Sequence, residues 1–342
     1  MMKKLLFTLT LLLFLCLTAQ SREKKFAVYS VAFYNLENLF DTIHDKGKND
    51  YEYLPDAKIK WNTEKYTNKL TNLSKVISEL ARNNTPAGPA VIGVAEAENR
   101  RVLEDLVKQP AIAGNNYQIV HFEGPDKRGI DCALLYNPDQ FTVTSAKLSP
   151  YIYVNDTVHK TRGFLIVGGM LGDEKVHFIV NHWPSRGAAE PARIRAAEQV
   201  KILKDSLFAE DHKAKIIIMG DMNDDPMDKS METLGARREQ KEVRRGEFYN
   251  PWWNTLVDKG VGTLLYRGKW NLFDQIIVSS TLLNKKRSSL KFLDSEVFLK
   301  DYLFQQDGKY KGYPLRTQAG GEWLNGYSDH FPTIIYLIKE IR

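Results

Sequence analysis

An apolar segment that ends in two polar side chains constrains this chain most strongly. Lys215 to Asn223 reads KIIIMGDMN, and its three consecutive isoleucines predict a strand that is buried on both faces. Asp221 and Asn223 are two residues apart, so in extended backbone their side chains point the same way. Such a carboxylate and amide can hold a hard cation, orient a water molecule or position a phosphate. A simple turn over residues 224–226 (DDP) is the alternative explanation.

The same arrangement recurs along the chain. Several other strand-like apolar segments end in polar residues that are able to do chemistry: Asn35, Glu96, His182, and Asp329 with His330. Strand ends that gather at one edge of a sheet make a site. Helical spacing over 63–81 and 188–207 alternates with the strands, and no internal repeat is present. The pattern predicts one compact enzyme domain over residues 26–342.

The start of the chain has the features of an export signal. Lys3 and Lys4 precede the apolar run Leu5 to Leu17, and small residues follow it, which predicts a cleaved signal peptide over residues 1–19. The run is too short to span a bilayer comfortably, so no stable membrane span is expected. Of the two cysteines, only Cys132 would remain after cleavage. An export signal without a disulfide indicates a bacterial periplasmic or extracellular protein.

Composition and charge add weaker constraints. The 342 residues are 43% hydrophobic and 26% charged, which is ordinary for a globular protein. Loss of Lys3 and Lys4 with the signal would lower the formal net charge from +6 to +4. A small positive charge of this size mildly favours anionic partners. Basic clusters over 237–245 and 285–287 are typical of a solvated face.

The residue types at the strand ends predict a class of chemistry. Carboxylate and amide oxygens suit Mg²⁺, Mn²⁺ or Ca²⁺, and the chain has neither a cysteine pair nor an HExxH motif for zinc. A histidine held by a carboxylate serves as a general acid or base near neutral pH. A hard cation together with a histidine can catalyse the hydrolysis of a phosphate ester.

In this order, the motifs resemble those of the endonuclease/exonuclease/phosphatase (DNase I-like) superfamily over nearly all of the mature chain. The matching residues are Asn35 in YNLEN, Glu96 in IGVAEAEN, His182 in VNHWPSRG, Asp221 and Asn223 in GDMN, Asp274 in NLFDQIIVS, and Asp329 and His330 in SDHFP. The segment KRGIDCALLY, which contains Arg128, is similar to predicted secreted nucleases and phosphatases of bacteria. The chain is thus identified as a member of the secreted bacterial branch.

The resemblance implies a fold and a metal site. The fold would be α+β, a four-layer αββα sandwich in which two packed mixed β-sheets are flanked by helices. Glu96 would bind Mg²⁺, or else Mn²⁺ or Ca²⁺, with Asn35 close by and Asp329 at the metal or the phosphate. Asp221 would orient or deprotonate the attacking water, and Asn223 would hold the phosphate.

The resemblance also implies the remaining catalytic roles. His330, held by Asp274, would be the second catalytic group, and His182 would contact a non-bridging oxygen or assist the leaving group. Three arginines are candidates for phosphate binding, although each could equally be a surface residue: Arg128, Arg162 and Arg186. Many relatives have Gln where this chain has Ala95, and Glu98 is an alternative to Glu96 as the ligand.

Taken together, the sequence predicts an exported, monomeric, divalent-metal-dependent phosphoesterase that acts on DNA or RNA as a nuclease. One alternative is a phosphomonoesterase or phospholipase-C-like hydrolase for inositol phosphates or sphingomyelin. A second is a non-catalytic binding module on the same fold. Trp252 and Trp253 could stack on a base or pack in the core. The regions 237–270 and 285–323 are expected to shape specificity, but they show no clear pattern.

Overall fold

The computed structural model describes residues 25–154, 156, 158–266 and 268–341, so the predicted signal peptide lies outside the described residues. In chain order the strands are Lys25–Leu39 (β1), Val91–Ala97 (β2), Gln118–His121 (β3), Asp131–Tyr136 (β4), Phe141–Ser149 (β5), Phe164–Leu171 (β6), Glu174–His182 (β7), Lys215–Asp221 (β8), Ala236–Arg237 (β9), Phe248–Tyr249 (β10), Leu264–Tyr266 (β11), Lys269–Asn271 (β12), Asp274–Ser279 (β13), Lys291–Val297 (β14), Gln318–Ala319 (β15), Glu322–Trp323 (β16) and Thr333–Ile341 (β17). The α-helices are Thr63–Glu79 (α1), Arg100–Val107 (α2), Glu190–Glu210 (α3), Lys229–Leu234 (α4) and Trp252–Val257 (α5).

Two large sheets form the centre of the molecule. The first has the strand order β14-β17-β1-β2-β4-β3, and the second has the order β5-β6-β7-β8-β13-β10-β9. Both are mixed, because β1 pairs with β2 and β7 pairs with β8 in parallel, whereas β17 and β13 pair with their neighbours in antiparallel. The predicted α+β sandwich of two mixed sheets flanked by helices is confirmed.

Alternation along the strands explains how both faces of each sheet are buried. Val31 and Phe33 of β1 lie in one apolar cluster with Ile217 and Met219 of β8, which places this cluster between the two sheets. The intervening residues of the same strands face outward. Ala32 of β1 packs under α1 and α2, and the outward residues of β8 pack under α3. Because a strand buried on both faces is apolar throughout, the run of isoleucines in β8 follows directly.

The two sheets approach each other closely at one point. A Cβ atom at Gly93 of β2 would lie 2.7 Å from the sulfur of Met219 on β8. A side chain at this position would clash with Met219, which would have to move. Gly93 therefore lets the strand that carries Glu96 lie directly against the strand that carries Asp221.

Several element boundaries differ from the sequence-based expectation. Asn35 was expected at the end of the first strand, but β1 continues past it to Leu39. Asp274 of the NLFDQIIVS motif is the first residue of β13. The short helix α5 and strand β14 were not expected. Within the described residues, no helix is long and apolar enough to cross a membrane.

Candidate active site

Strand register brings three predicted site residues together in the second sheet. The parallel pair β7 and β8 places His182 opposite Asp221, and the antiparallel pair β8 and β13 places Asp274 opposite the same residue. In the first sheet, β1 and β2 place Asn35 opposite Ala95, beside Glu96. Each sheet therefore contributes part of the site. In both sheets, the C-terminal ends of the parallel strands lie at the site.

Asn35 connects the two halves of the site. Its Nδ2 lies 3.1 Å from Oδ2 of Asp221 and 3.4 Å from Oε1 of Glu96. Its side-chain oxygen accepts a hydrogen bond of 2.9 Å from the backbone N–H of Glu37. The amide is thus held in one orientation between a carboxylate of each sheet.

The backbone around these residues adopts an uncommon conformation. Four residues have a positive φ: Glu37 (48°), Asn38 (51°), Glu96 (63°) and Asn223 (50°). The pairing of β1 with β2 shifts register over this stretch, so the strands bulge there. The bulge turns the backbone N–H of Asn38 toward Oε2 of Glu96 at 2.8 Å. Positive φ costs energy for residues other than glycine, and such strain often occurs at functional sites.

The side chains present fit a hard divalent cation. Nε2 of His182 lies 3.7 Å from both Oε1 of Glu96 and Oδ2 of Asp221, so two carboxylates of the two sheets converge on one small space. The side chain of Glu96 is 14% exposed, and a ligand can therefore reach it. Carboxylate oxygens close together are stabilised by a hard cation such as Mg²⁺. Glu96, with the amide of Asn35 beside it, could hold such an ion.

His330 and Asp274 form a buried pair on the other side of Asp221. Nδ1 of His330 lies 2.7 Å from Oδ2 of Asp274, and Nε2 lies 4.0 Å from Oδ2 of Asp221. Burial alone would lower the pKa of His330, but the charge of Asp274 and the hydrogen bond to it outweigh burial and hold the pKa well above its usual value. Ser328 fixes this segment, since its hydroxyl donates to the backbone oxygen of Asn35 at 2.7 Å.

Asp221 is at the centre of the site. Burial, together with the charges of Asp274 and Glu96, raises its pKa to about 7, although His330 and the N–H of Asn223 act in the opposite direction. That N–H donates to Oδ1 of Asp221 at 2.9 Å. A carboxylate with a pKa near neutrality is suited to accept a proton from water.

His182 is the second buried histidine. Burial and the nearby charges of Arg162 and Arg128 lower its pKa well below the usual value, so the ring is neutral at pH 7. Its Nδ1 is buried and has no hydrogen-bond partner among the described residues. Its Nε2 faces the two carboxylates. A neutral ring in this position can donate one hydrogen bond without adding charge.

The three candidate arginines differ in their surroundings. Arg128 donates to the side-chain oxygen of Asn38 at the edge of the site. Arg162 is buried and donates to the backbone oxygen of Trp183 at 2.9 Å, as does the amide of Asn223 at 3.0 Å. Arg162 and Asn223 therefore share one backbone acceptor, the oxygen of Trp183.

Arg186 lies behind the site and is engaged by the protein. Its guanidinium donates to the backbone oxygen of Asn223 at 3.2 Å. It also contacts the carboxylates of Asp225 and Asp228 at 3.1 and 2.9 Å. The structure thus places Arg186 in a set of internal contacts rather than beside Glu96 and Asp221.

Three charged residues at the site were missed by the sequence analysis. Arg316 donates to Glu37 at 2.8 Å and to Asp329 at 3.0 Å, and Lys69 of α1 lies 3.7 Å from Glu37. Glu37 lies within the YNLEN motif, two residues after Asn35, which was the available signal. Arg316 and Lys69 lie in segments without a motif, so nothing in the sequence pointed to them.

Other residues singled out from the sequence lie outside the site. Glu98, the alternative ligand, is buried and accepts a hydrogen bond of 2.8 Å from the backbone N–H of Asp41. Trp252 is fully buried, and its indole donates to the backbone oxygen of Ile276 at 2.8 Å, so it packs in the core. Asp224 binds Arg193 at 2.6 Å and has a structural role in the turn.

Comparison with known proteins is consistent with this arrangement. A family model described as "Endonuclease/Exonuclease/phosphatase family" matches residues 30–339. A search of curated proteins found no match.

Several solved structures share the fold at low sequence identity. A mannosyl-6-phosphatase from Bacteroides thetaiotaomicron is 17% identical, with a TM-score of 0.55 over 90% of this chain and 99% of that chain. ANGEL2, a 2′,3′-cyclic phosphatase, is 13% identical, with a TM-score of 0.58 over 93% and 99%. TDP2 from D. rerio, in complex with a single-stranded DNA product, is 13% identical, with a TM-score of 0.53 over 91% and 99%. At these identities the likeness extends to the fold alone.

Proposed function

The chain belongs to the endonuclease/exonuclease/phosphatase family, whose members are metal-dependent phosphoric ester hydrolases, and we propose that it is an exported monomeric nuclease. The observation that carries the proposal is the convergence of Glu96, Asp221 and the His330–Asp274 pair at one edge of two sheets. The predicted export signal and the formal net charge of +4 after its removal support an extracellular or periplasmic nucleic acid substrate.

The chain's own residues can carry out the proton transfers of phosphodiester hydrolysis. When bound, the cation would be held by Glu96, with the amide of Asn35 hydrogen-bonded to that carboxylate, and it would neutralise negative charge that develops on the phosphate. Asp221 accepts a proton from the attacking water at Oδ2, because its pKa is raised to about 7. His330 is protonated, Asp274 fixes the ring, and Nε2 can donate its proton to the leaving oxygen as the bond from phosphorus to that oxygen breaks.

Two further groups position the phosphate. Asn223 donates one amide hydrogen to the backbone oxygen of Trp183, which leaves the second for a phosphate oxygen. His182, as a neutral ring, donates to a non-bridging oxygen. Arg128, at the edge of the site, supplies positive charge to a neighbouring phosphate of a polymer.

A second candidate function has support from a polar cavity. This cavity has a volume of about 250 Å³ and is lined by Glu52, Asn38, Tyr53 and Gln318, among others. Asn38 also binds Glu96, so the cavity adjoins the predicted cation site. Carboxylate and amide groups beside an aromatic ring suit a polyol. A sugar or inositol phosphate is therefore the alternative substrate.

A substrate screen tests the proposal. Mature protein is incubated with Mg²⁺ or Mn²⁺ and plasmid DNA, RNA, inositol phosphates, mannose 6-phosphate or sphingomyelin, with and without EDTA. We expect hydrolysis of DNA or RNA that EDTA abolishes. Hydrolysis of the sugar or inositol phosphates alone would favour the second candidate, and hydrolysis of sphingomyelin alone would favour a phospholipase-C-like enzyme. Inactivity toward every substrate would indicate a binding module.

A further inference from the structure

A second cavity opens beside the predicted active site. It has a volume of about 430 Å³, within the usual range for small-molecule sites, and lies between the hairpin β11–β12 and the loop over residues 301–327. Its walls are largely apolar and aromatic, and its lining includes Leu264, Leu265, Tyr310, Tyr313 and Leu324. We refer to it as the aromatic cavity.

The aromatic cavity shares part of its wall with the active site. Arg316 and Asp329 line it, and Oδ1 of Asp329 lies 3.9 Å from Nε2 of His330. Arg316 holds the other oxygen of Asp329 at 3.0 Å and is itself held by Glu37. A ligand in the cavity is therefore separated from the catalytic histidine by one fixed side chain. A substrate with a phosphate at His330 can place its adjoining group in this cavity.

The exposed apolar surface of the cavity is unusual for a position so close to charged residues. Tyr310 is 48% exposed, and Leu264, Leu265 and Leu324 are each half-buried. A contiguous, concave and exposed apolar surface is typical of a ligand-binding site. The rings of Tyr310 and Tyr313 lie 5.4 Å apart, edge to face, so the two rings present differently oriented surfaces.

The chemistry of the lining favours a flat heterocyclic ring over a lipid chain. Tyrosine rings stack on nucleobases, and leucine side chains cover the rest of a planar surface. Gln305, in the same wall, offers an amide that can pair with the polar edge of a base. The charged groups of Arg316 and Asp329 lie at the side nearest the active site, where an acyl chain would have to cover them without hydrogen bonds.

We propose that the aromatic cavity is a subsite for the nucleobase next to the phosphate that is cleaved. This inference rests on the proposed function, because the active site must first hold the phosphate. It assigns the choice of substrate to the base of the nucleotide that carries the phosphate, so that a nucleotide binds more tightly than the same sugar phosphate without its base.

Binding of adenosine 5′-monophosphate and ribose 5-phosphate tests the subsite, since the two probes differ only by the base. Calorimetry with Mg²⁺ is carried out on full-length mature protein carrying Asp221→Asn, which prevents turnover. We expect adenosine 5′-monophosphate to bind at least about 10-fold more tightly. Adding Tyr310→Ala should weaken its binding by about 5- to 140-fold, the range found when a stacking aromatic is removed. Binding of ribose 5-phosphate should change less than about 2-fold.

Phe26→Ala is the matched control. Phe26 is 46% exposed, close to the exposure of Tyr310, and lies at the opposite end of β1 from Asn35. The Phe26→Ala substitution should leave the affinities for adenosine 5′-monophosphate and ribose 5-phosphate unchanged. Tyr310→Phe keeps the ring and should retain the preference for the nucleotide.

Each other outcome is informative. Equal affinity for the two probes, or no binding of either, would overturn the subsite, and an equal loss of both affinities in Tyr310→Ala would do the same. Hydrolysis of nucleic acid together with equal probe affinities would leave the proposed function standing and remove only the subsite. A clear preference for the nucleotide without hydrolysis of any ester would instead count against the proposed function.

Discussion

Asp221 and His330 have complementary protonation states because they share one buried environment. Burial and nearby carboxylates raise the pKa of Asp221 to about 7, while Asp274 keeps His330 protonated. One group can accept a proton while the other supplies positive charge. Such a unit depends on both members.

We predict that Asp221→Asn and His330→Ala each lower kcat by roughly 100-fold or more, since removal of one member of a catalytic unit is usually this costly. The measurement is steady-state hydrolysis of the best substrate from the screen, with circular dichroism to verify folding. His159→Ala is the control, because the side chain of His159 is 68% exposed and its carboxylate contact is with Asp156. Activity near wild type in either catalytic variant would rule out the proposed roles.

Glu98 should make stability depend on pH. Burial raises its pKa to about 8, with help from nearby Asp41 and other carboxylates, whereas the unfolded chain has the usual value near 4.5. The protonated form is therefore favoured in the folded state. Its stabilising contribution is complete below about pH 4.5 and is lost as the pH rises to about 8.

We predict that Glu98→Gln removes this loss and gives a protein that is more stable than wild type above pH 8, by on the order of 1 to 3 kcal/mol. Urea unfolding at pH 5 and pH 8.5 provides the measurement. Glu104→Gln is the control, because Glu104 is exposed and pairs with Arg100 on the surface of α2. The same pH dependence in wild type and Glu98→Gln would contradict the prediction.

At the residue level, the sequence revealed the groups that adjoin strands and missed those that do not. Glu96 and Asp221 follow apolar runs, so their positions at a sheet edge could be inferred. Arg316 is 279 residues from its partner Glu37, and no periodicity links the two. Contacts of this kind depend on the completed tertiary structure.

At the level of elements, α1 is attached to the active site through one buried ion pair. The side chain of Lys69 is fully buried, and its Nζ lies 3.7 Å from Glu37 and 2.5 Å from the hydroxyl of Thr317. Glu37 in turn holds Arg316. Glu37 therefore links three parts of the molecule by ion pairs: helix α1, the bulge of β1 and the loop that carries Arg316.

We predict that Lys69→Ala destabilises the protein by about 3 to 5 kcal/mol, because loss of one partner leaves a buried carboxylate without full compensation. Urea unfolding measures the change. Lys201→Ala is the control, since Lys201 is an exposed helical lysine paired with Asp205 at i,i+4, and such pairs contribute about 0.3–0.5 kcal/mol. Equal effects of the two substitutions would contradict the proposed role of the buried pair.

Long periodic elements were predicted well, and irregular ones were not. α1 was expected over 63–81 and is observed over Thr63–Glu79, because its apolar residues recur at helical spacing. The extension of β1 to Leu39 was missed, since the bulge interrupts the alternation on which strand prediction depends. The segment 285–323 mixes polar and aromatic residues without a regular apolar period, and backbone hydrogen bonds such as that from the N–H of Leu315 to the oxygen of Leu303 fix its shape.

At the scale of the whole molecule, the site exists only when both sheets are packed together. Glu96 belongs to one sheet and Asp221 to the other, and Asn35 contacts both. A cation bound to Glu96 therefore binds the folded state and not the unfolded chain. Linkage then requires that the cation stabilise the whole fold.

We predict that Mn²⁺ raises the thermal unfolding midpoint of the wild type, by an amount that corresponds to about 2.7 kcal/mol when free Mn²⁺ is 100 times its Kd. Differential scanning calorimetry with and without EDTA measures the shift. Glu96→Gln should reduce or remove it, whereas Glu104→Gln, at an exposed carboxylate of α2, should not. An identical shift in Glu96→Gln would place the ion elsewhere.

The positive φ angles at Glu37, Glu96 and Asn223 have a further consequence for how this protein can change. A glycine would occupy the backbone conformation of Glu96 more comfortably than glutamate does. Selection for thermal robustness alone would therefore favour substitutions that remove the carboxylate proposed to bind the ion. In a laboratory population screened for heat resistance without an activity requirement, we therefore expect glycine substitutions to accumulate in this bulge. Such variants would gain stability and lose activity.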